Sequence, residues 1–249
     1  MFDAARYLER INASSRASLA TLHRAHLEAV PFENLDIHLG HPIRLDADAL
    51  FDKVVTRRRG GFCYELNGLF SRLLAARGFN VTPLSARVAS DDKDGTFGPE
   101  FDHLTLQVED GGEQWLVDVG FGDGFIEPLR LDERGVQTRD GRDYRLSEDG
   151  EGLMLSRESE KGKGWEAQYA LSLVPRVLED FTGMCHHHQT SPASIFTQRR
   201  LCTKATPKGR VTLKEGALVL TEGQERRELP VVDEDSRRQV LAEHFGVVL

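Results

Sequence analysis

Hydrophobic residues in the first third of the chain recur at the three- and four-residue spacing of amphipathic helices. This spacing predicts helices at residues 3–12, 16–30 and 46–57, with an extended, partly apolar segment at 31–38. A fourth, buried helix is predicted after the Gly60-Gly61 pair. Its apolar positions are Leu66, Leu69, Phe70, Leu73 and Leu74. We read the two glycines as a tight turn, because glycine accepts positive φ angles.

Beyond residue 78 the pattern changes to short apolar runs separated by Asp- and Gly-rich turns, which is typical of strands. Strands are predicted at 81–88, 104–108, 114–119 and 167–173. A further hairpin at 210–213 and 217–220 precedes a terminal helix at 235–245. The order is therefore helices, then a strand-rich middle, then a small mixed end.

Two groups of histidines are candidate metal ligands. His23 and His26 have no third ligand at a matching spacing, so we interpret them as core or surface residues. The run Cys185-His186-His187-His188 lacks a Cys-x-x-Cys or His-x₃-His partner, which a structural zinc site would need. We therefore expect no metal, and we predict that this run is a loop.

Composition is that of a soluble globular protein, with 249 residues, 39% of them hydrophobic and 29% charged. The sequence has no apolar run long enough to span a membrane and no signal-peptide pattern, so we expect a cytoplasmic protein. Its three cysteines, Cys63, Cys185 and Cys202, suit a reducing compartment. A net charge of −8 argues against a nucleic-acid partner.

Cys63 is the first candidate for chemistry, because it begins the buried helix predicted after Gly60-Gly61. Unpaired backbone N–H groups and the positive end of the helix dipole favour a thiolate at this place. Most free cysteines are nevertheless small buried hydrophobic residues. The choice between nucleophile and core residue depends on a base and on a carboxylate that orients it.

His103 and Asp118 supply that base and that carboxylate. A hairpin turn at 109–113 would bring them to the same end of an antiparallel strand pair. Asp118 lies in the apolar run Leu-Val-Asp-Val, where a carboxylate is costly to bury unless it accepts hydrogen bonds. An imidazole N–H from His103 would satisfy it and complete a Cys-His-Asp triad. The alternatives are a surface histidine at a strand end and an aspartate that caps a turn.

Four motifs resemble the arylamine N-acetyltransferase family, in its order and at its spacing, from about residue 3 to the end. They are Arg58-Arg59-Gly60-Gly61-Phe62-Cys63-Tyr64-Glu65-Leu66-Asn67, Pro31-Phe32-Glu33-Asn34-Leu35-Asp36, Val117-Asp118-Val119-Gly120-Phe121-Gly122 and Gln189-Thr190-Ser191-Pro192. The resemblance implies an α+β fold with a cysteine-protease- and transglutaminase-like core. It implies an N-terminal helical bundle (1–79) with the nucleophile, a central antiparallel β-barrel (80–174) with the histidine and aspartate, and a linker helix with an α/β lid (175–249).

The same resemblance implies ping-pong acetyl transfer from acetyl-CoA to a small arylamine or hydrazine. Cys63 would carry the acetyl group as a thioester, and His103 would take the proton of the amine. The Cys63 backbone N–H is a candidate oxyanion donor. Because longer family members carry a C-terminal extension near the CoA cleft, we expect a more open cleft in a chain that stops at Leu249.

The resemblance also assigns binding residues in the loop after Asp118, which on its pattern alone is only a turn. Gly122 and Gly124 would contact CoA, and Phe121 would face the acceptor. Phe32 and Phe196 match apolar pocket positions, although each alone reads as a core residue. A basic group that would meet CoA phosphates, or else form a solvated face, is Arg199, Arg200, Lys204, Lys208 and Arg210.

Three other functions stay open on the sequence. The same acyl-enzyme chemistry could serve a biosynthetic amide synthase with a larger acyl donor. A cysteine peptidase or transglutaminase-like enzyme would use the same triad. A non-catalytic CoA-binding or scaffold protein could keep the fold, but the presence of Cys63, His103 and Asp118 counts against it.

Overall fold

Helices occupy the first third of the chain, as the spacing of its hydrophobic residues predicts. The computed structural model of the protein describes residues 2–90, 95–150, 152–159, 162, 164–223 and 225–249. The N-terminal helices are α1 (Ala4–Arg10), α2 (Leu19–Ala29), α3 (Leu35–Leu39), α4 (Ala47–Phe51), which continues as a π-helical turn Asp52–Thr56, and α5 (Cys63–Ala76). The prediction of an extended segment at 31–38 is wrong beyond a two-residue strand, β1 (Phe32–Glu33), because α3 follows directly and ends at Gly40 with a φ of 71°.

Helix α5 is the centre of the N-terminal core. Its apolar residues are fully buried: Leu66, Leu69, Phe70, Leu73 and Leu74. It packs against strands of the central sheet, β2 (Asn80–Val88) and β3 (His103–Asp110). The first eight residues of α5, Cys63 to Phe70, are all buried, so close packing fixes the position of Cys63.

The Gly60-Gly61 pair is needed because the backbone packs closely here. The sequence-based explanation, that these glycines adopt positive φ angles, is wrong. Neither glycine has a positive φ, and the left-handed residue of this turn is Arg58, with a φ of 54°. A Cβ on Gly60 would collide with the carbonyl oxygen of Pro31, and one on Gly61 would collide with the Glu65 side chain. The glycines therefore let the turn lie against the segment of β1 and against the first turn of α5.

The middle of the chain forms one antiparallel sheet in the order β5-β4-β3-β2-β9-β8-β7-β6. The remaining strands are β4 (Glu113–Val117), β5 (Leu129–Arg130), β6 (Gln137–Arg139), β7 (Arg142–Asp149), β8 (Gly152–Glu158) and β9 (Trp165–Ser172). The two edge strands are linked by Gln137, whose side chain accepts from the Arg130 N–H (2.8 Å) and donates to the Arg130 carbonyl (3.0 Å). The sheet is thus a nearly closed barrel, and the predicted α+β fold is confirmed.

The C-terminal part carries helices and a second sheet. A 3₁₀ turn (Leu178–Phe181) leads into α6 (Thr182–Thr190) and α7 (Ile195–Gln198), and α8 (Glu234–Val240) continues as a π-helical turn, Leu241–Phe245. Strands β10 (Cys202–Thr206), β11 (Gly209–Lys214), β12 (Ala217–Glu222) and β13 (Glu225–Pro230) form this sheet, and β1 pairs with β10. The predicted loop at residues 185–188 is wrong: these residues lie in α6, where Cys185 and His188 face inward without any apolar periodicity. Within the described ranges, none of the helices combines the length and apolar character needed to cross a membrane.

His23 and His26 are core residues of α2, and both are fully buried. The Tyr7 hydroxyl bonds to Nδ1 of His26 at 2.9 Å. Burial, assisted by the nearby positive charge of Arg10, lowers the pKa of His26 well below its usual value. His26 is therefore neutral in the folded protein at pH values where the unfolded chain binds a proton.

We expect the free energy of unfolding to fall as the pH drops below about 6.5, the ordinary histidine pKa. In that window the unfolded state binds more protons, so stability rises with pH, by at most about 1.4 kcal/mol per pH unit for each such histidine. His26→Gln should make this slope shallower in urea titrations between pH 5 and 7. His38→Gln, at an exposed position, is the matched control and should keep the wild-type slope. An unchanged slope in His26→Gln would contradict a buried neutral His26.

Candidate active site

Cys63 lies at the floor of a cavity of about 800 Å³. It is the first residue of α5 and is 3% exposed. His103, the first residue of β3, lines the same cavity, together with the loop that follows β4. The register of β3 and β4, with Leu106 opposite Val117, brings His103 and Asp118 to the same end of the hairpin, as predicted.

The Asp118 carboxylate is fully hydrogen-bonded. Nε2 of His103 donates to Oδ2 at 2.7 Å, while Oδ1 accepts from the Asn67 amide and from the Gly120 N–H, each at 2.9 Å. Burial acts to raise the pKa of Asp118, but His103 and these other donors outweigh it and hold the pKa below its usual value. The carboxylate is therefore ionised, and it fixes the imidazole with Nδ1 as the nitrogen free for proton transfer.

Asn67 is a positioning residue whose role the sequence did not reveal. It lies one helical turn after Cys63, and its Nδ2 donates to the Leu104 carbonyl (2.7 Å) as well as to Asp118, while its Oδ1 accepts from the Val119 N–H (2.9 Å). The signal available in the sequence is an amide at the i+4 position from the cysteine, which puts both residues on the same side of the helix. Asn67 thereby ties the helix of the thiol to the strands of His103 and Asp118.

Gly120 allows this close approach. A Cβ on it would lie 2.7 Å from both the Asn67 Nδ2 and the Cys63 Cα. Any side chain here would push the loop away from α5 and break the Asp118 contacts.

His23 holds the backbone of Asp118 from the opposite side. Its Nδ1 lies 3.0 Å from the Ile126 carbonyl, and its Nε2 lies 3.2 Å from the Asp118 N–H. Burial lowers the pKa of His23, so the ring is neutral. With Nδ1–H donating to the Ile126 carbonyl, Nε2 accepts from the Asp118 N–H. The Asp118 carbonyl, 3.1 Å from Nε2, receives no proton from the ring in this tautomer.

Burial opposes the thiolate that is expected at the start of α5. Burial raises the pKa of Cys63 well above its usual value, and a hydrogen bond with the Leu104 backbone only partly opposes this. Glu65 already occupies the N-terminus of α5, where its carboxylate accepts from the Phe62 N–H at 3.1 Å. A thiolate at Cys63 would therefore need a base in the cavity, and His103, held by the ionised Asp118, lines the same cavity.

A buried group of charges fixes the turn before Cys63. Arg59 contacts Glu33 (2.8 Å) and Asp36 (3.0 Å), and Lys53 joins Asp36 (2.7 Å) to Glu65 (2.8 Å). Arg59 is buried and is not among the residues that line the cavity. Its charge is used inside this group, away from the cavity.

Three phenylalanines that the family resemblance assigns to the substrate pocket form an aromatic wall of the cavity. Phe32 and Phe196 lie 6.2 Å apart between ring centroids, and Phe121 packs edge-on against His103 at 5.3 Å. These three phenylalanines and Gly122 line the cavity, whereas Gly124 is not among its lining residues. Of the five basic residues considered for CoA phosphates, Arg210 alone lines it.

His188 lines the cavity, as do His103 and His187, although the sequence predicts no role for it there. Nε2 of His188 lies 3.1 Å from Asp102, and its Nδ1 lies 3.0 Å from the Ser194 hydroxyl, which also caps α7. The ring stacks on Tyr64 and meets Phe196 edge-on at 5.1 Å. His188 thus links α6 to the segment just before His103. Across the described ranges, His, Cys, Asp and Glu side chains form no cluster suited to a metal ion.

Comparison with known proteins gives consistent matches along the chain. A family model described as N-acetyltransferase matches residues 16–249. A relative from Salmonella typhimurium, named arylamine N-acetyltransferase / N-hydroxyarylamine O-acetyltransferase, is 35% identical over 92% of this chain and 82% of its own. A relative from Amycolatopsis mediterranei, named proansamycin X synthase, is 31% identical over 97% of this chain and 96% of its own.

The fold is similar to solved structures as well. The structure of Mycobacterium marinum arylamine N-acetyltransferase in complex with CoA superposes with a TM-score of 0.89 at 34% identity. The match covers 98% of this chain and 93% of that one.

We expect Asn67→Ala to slow the alkylation of Cys63 by iodoacetamide and to lower stability. The substitution leaves the buried Leu104 carbonyl and Val119 N–H without their partner, which costs about 1–3 kcal/mol for each such group. It also removes one donor from Asp118. Denaturant titration measures the loss of stability, and the rate at which iodoacetamide alkylates the folded protein measures the effect on Cys63. Ser71→Ala, which removes a part-buried side-chain hydrogen bond elsewhere on α5, is the control. A folded Asn67→Ala protein that is alkylated at the wild-type rate would show that Asn67 is structural only.

Proposed function

The chain belongs to the arylamine N-acetyltransferase family, and on this premise we propose that it transfers the acetyl group of acetyl-CoA to the nitrogen of arylamines or arylhydrazines through a thioester on Cys63. The observation that carries the proposal is the 2.7 Å contact between His103 and Asp118 in the cavity that also holds Cys63. This contact supplies an oriented base beside a thiol that burial keeps protonated.

In the first half-reaction, Nδ1 of His103 takes the proton of Cys63, and the thiolate attacks the thioester carbonyl of acetyl-CoA. The bond to the CoA sulfur breaks, and the CoA thiolate takes the proton back from His103. One thioester replaces another, so the acetyl-enzyme forms without a large change in free energy. The ionised Asp118 stabilises the imidazolium while the proton resides there.

In the second half-reaction, the amine nitrogen attacks the acetyl carbonyl on Cys63. An arylamine is a weak base and is neutral near pH 7, so it is nucleophilic without prior deprotonation. His103 takes the proton of the amine as the carbon–sulfur bond breaks, and it passes that proton to the Cys63 sulfur, which returns to the thiol. The phenylalanines at positions 32, 121 and 196 offer flat apolar walls for the ring of the acceptor.

Two observations support acetyl-CoA as the acyl donor. The similar Mycobacterium marinum protein was solved with CoA. In this chain, Gly122 lines the cavity in a left-handed conformation, with a φ of 84°, and so keeps the loop beside Cys63 free of a side chain. We propose Gly122 as a CoA contact, and Gly124 as a residue that shapes the same loop.

An amide synthase with a larger acyl donor is the second candidate function. The relative named proansamycin X synthase matches nearly the whole chain, and a cavity of about 800 Å³ has room for more than an acetyl group. The two candidate functions differ in the acyl donor that the enzyme prefers. An enzyme specialised for larger acyl groups should be acylated faster by long-chain or aromatic acyl thioesters than by acetyl-CoA.

We predict that mixing the protein with acetyl-CoA, without an amine, adds one acetyl group to its intact mass. Peptide mapping should place that group on Cys63, and Cys63→Ala should remain unmodified while still binding CoA. Addition of an arylamine should remove the group, and initial-rate plots in both substrates should be parallel lines. Intersecting lines, or an unmodified wild-type protein, would point to a ternary complex and overturn the covalent route. Loss of the acetyl group at the same rate with or without amine would indicate hydrolysis in place of transfer.

A further inference from the structure

Three arginines from three different strands converge on one carboxylate at the cavity wall. Asp123 contacts Arg142 (2.7 Å), Arg157 (3.3 Å) and Arg210 (2.9 Å). Burial acts to raise the pKa of Asp123, but these arginines hold it below its usual value, so the carboxylate is ionised. One negative charge faces three positive ones, and among the ion pairs described for these arginines Asp123 is the carboxylate that all three share.

The three arginines are not equivalent. The side chains of Arg142 and Arg157 are 40% and 24% exposed, so water solvates much of their charge. The Arg210 side chain is only 12% exposed and lines the cavity beside Thr203 and Thr212. Burial lowers its pKa, and Asp123 offsets that effect only in part, because Arg142 repels it. An anion placed in the cavity would add a second negative charge beside Arg210.

Arg210 has hydrogen-bond donors to spare for such an anion. A guanidinium carries five N–H donors. Among the described contacts, Nε pairs with Asp123 and one Nη1–H donates to the Thr203 hydroxyl at 3.2 Å. The Thr203 and Thr212 hydroxyls lie 2.8 Å apart and add further polar groups at the same wall. Planar guanidinium groups bind phosphate and carboxylate oxygens in pairs, which suits this place.

From this arrangement we infer that Arg210, oriented by Asp123, binds an anionic group of a substrate in the cavity. The protein as a whole carries a net charge of −8, so a local positive excess at the cavity wall counters a general repulsion of anions. The inference rests on the proposed acetyl transfer for the identity of the substrates. Two sources share the required chemistry: a phosphate of the acyl donor and a carboxylate on the ring of the acceptor.

The variant Arg210→Gln tests the site. It should fold, because Asp123 keeps Arg142 and Arg157 as partners. Lys208→Gln is the matched control, since it removes the same charge from the exposed turn of the same hairpin. Isothermal titration of CoA and of 4-hydroxybenzoate measures anion binding without any acetyl transfer. We expect Arg210→Gln to weaken at least one of them about tenfold or more, Arg210→Lys to weaken it less, and Lys208→Gln to leave both near wild type.

Two matched substrate pairs separate the sources. If the anion is a donor phosphate, Arg210→Gln slows acetylation of Cys63 by acetyl-CoA and leaves acetylation by 4-nitrophenyl acetate unchanged. If it is an acceptor carboxylate, the variant raises KM for 4-aminobenzoate and leaves KM for the neutral 4-aminobenzamide unchanged. The inference is overturned if Arg210→Gln binds every anion as tightly as Lys208→Gln does. It is also overturned if the variant impairs the reaction of the charged and the neutral member of each substrate pair equally.

The site and the proposed reaction can fail separately. Wild-type protein that binds anions through Arg210 but forms no acetyl-enzyme would support the site and contradict the reaction. An acetyl-enzyme that forms normally in Arg210→Gln, with unchanged titration of both anions, would contradict the site and leave the reaction standing.

Discussion

The buried carboxylate of Asp118 is the interaction on which the candidate active site depends. It lies among apolar strand residues and is 1% exposed, so it is tolerated only because donors surround it. Those donors come from separate parts of the chain: His103 from β3, Asn67 from α5 and Gly120 from the following loop. The hydrogen bonds that satisfy this one charge therefore hold the helix of Cys63 and the strand of His103 in fixed positions relative to each other. If Cys63 gives its proton to His103, as proposed, the same charge would stabilise the imidazolium that forms.

A second buried group of charges holds the other side of Cys63 in place. Arg59 and Lys53 meet three carboxylates, those of Glu33, Asp36 and Glu65, at distances of 2.7–3.0 Å. Removing one member of such a group is strongly destabilising, by about 3–5 kcal/mol, because its partners stay buried without it. Glu65 also accepts the Phe62 N–H at the start of α5. The site thus has two electrostatic supports, one for the base and one for the turn that presents the thiol.

Much of this arrangement follows from local sequence rules. Periodicity places α5, and a hairpin turn between two apolar runs brings His103 and Asp118 together. Asp118 could be singled out because a carboxylate inside Leu-Val-Asp-Val needs donors. What the sequence could not supply depends on three-dimensional neighbours. Asn67 reads as any polar helix residue until the strands beside it are known.

The errors have the same origin. The two glycines before Cys63 follow a positive-φ residue, Arg58, but are themselves required by the closeness of Pro31 and Glu65. His188 has no apolar periodicity around it and so was placed in a loop. Burial raises the pKa of the Cys63 thiol, and the spacing of residues along the sequence does not show how deeply this helix start is buried. Burial, close approach and long-range charge pairing are properties of the folded chain.

The most direct test of this account is the pH dependence of Cys63 alkylation by iodoacetamide in folded Asp118→Asn. If Asp118 stabilises the imidazolium that accepts the thiol proton, the variant should react slowly at neutral pH and recover only at higher pH. Asp102→Asn is the control, because it removes an equal charge from the same cavity without touching the Nε2 contact of His103. It should not show that loss. A folded Asp118→Asn protein with the wild-type profile would mean that Asp118 is structural, and the central role given to its charge would be wrong.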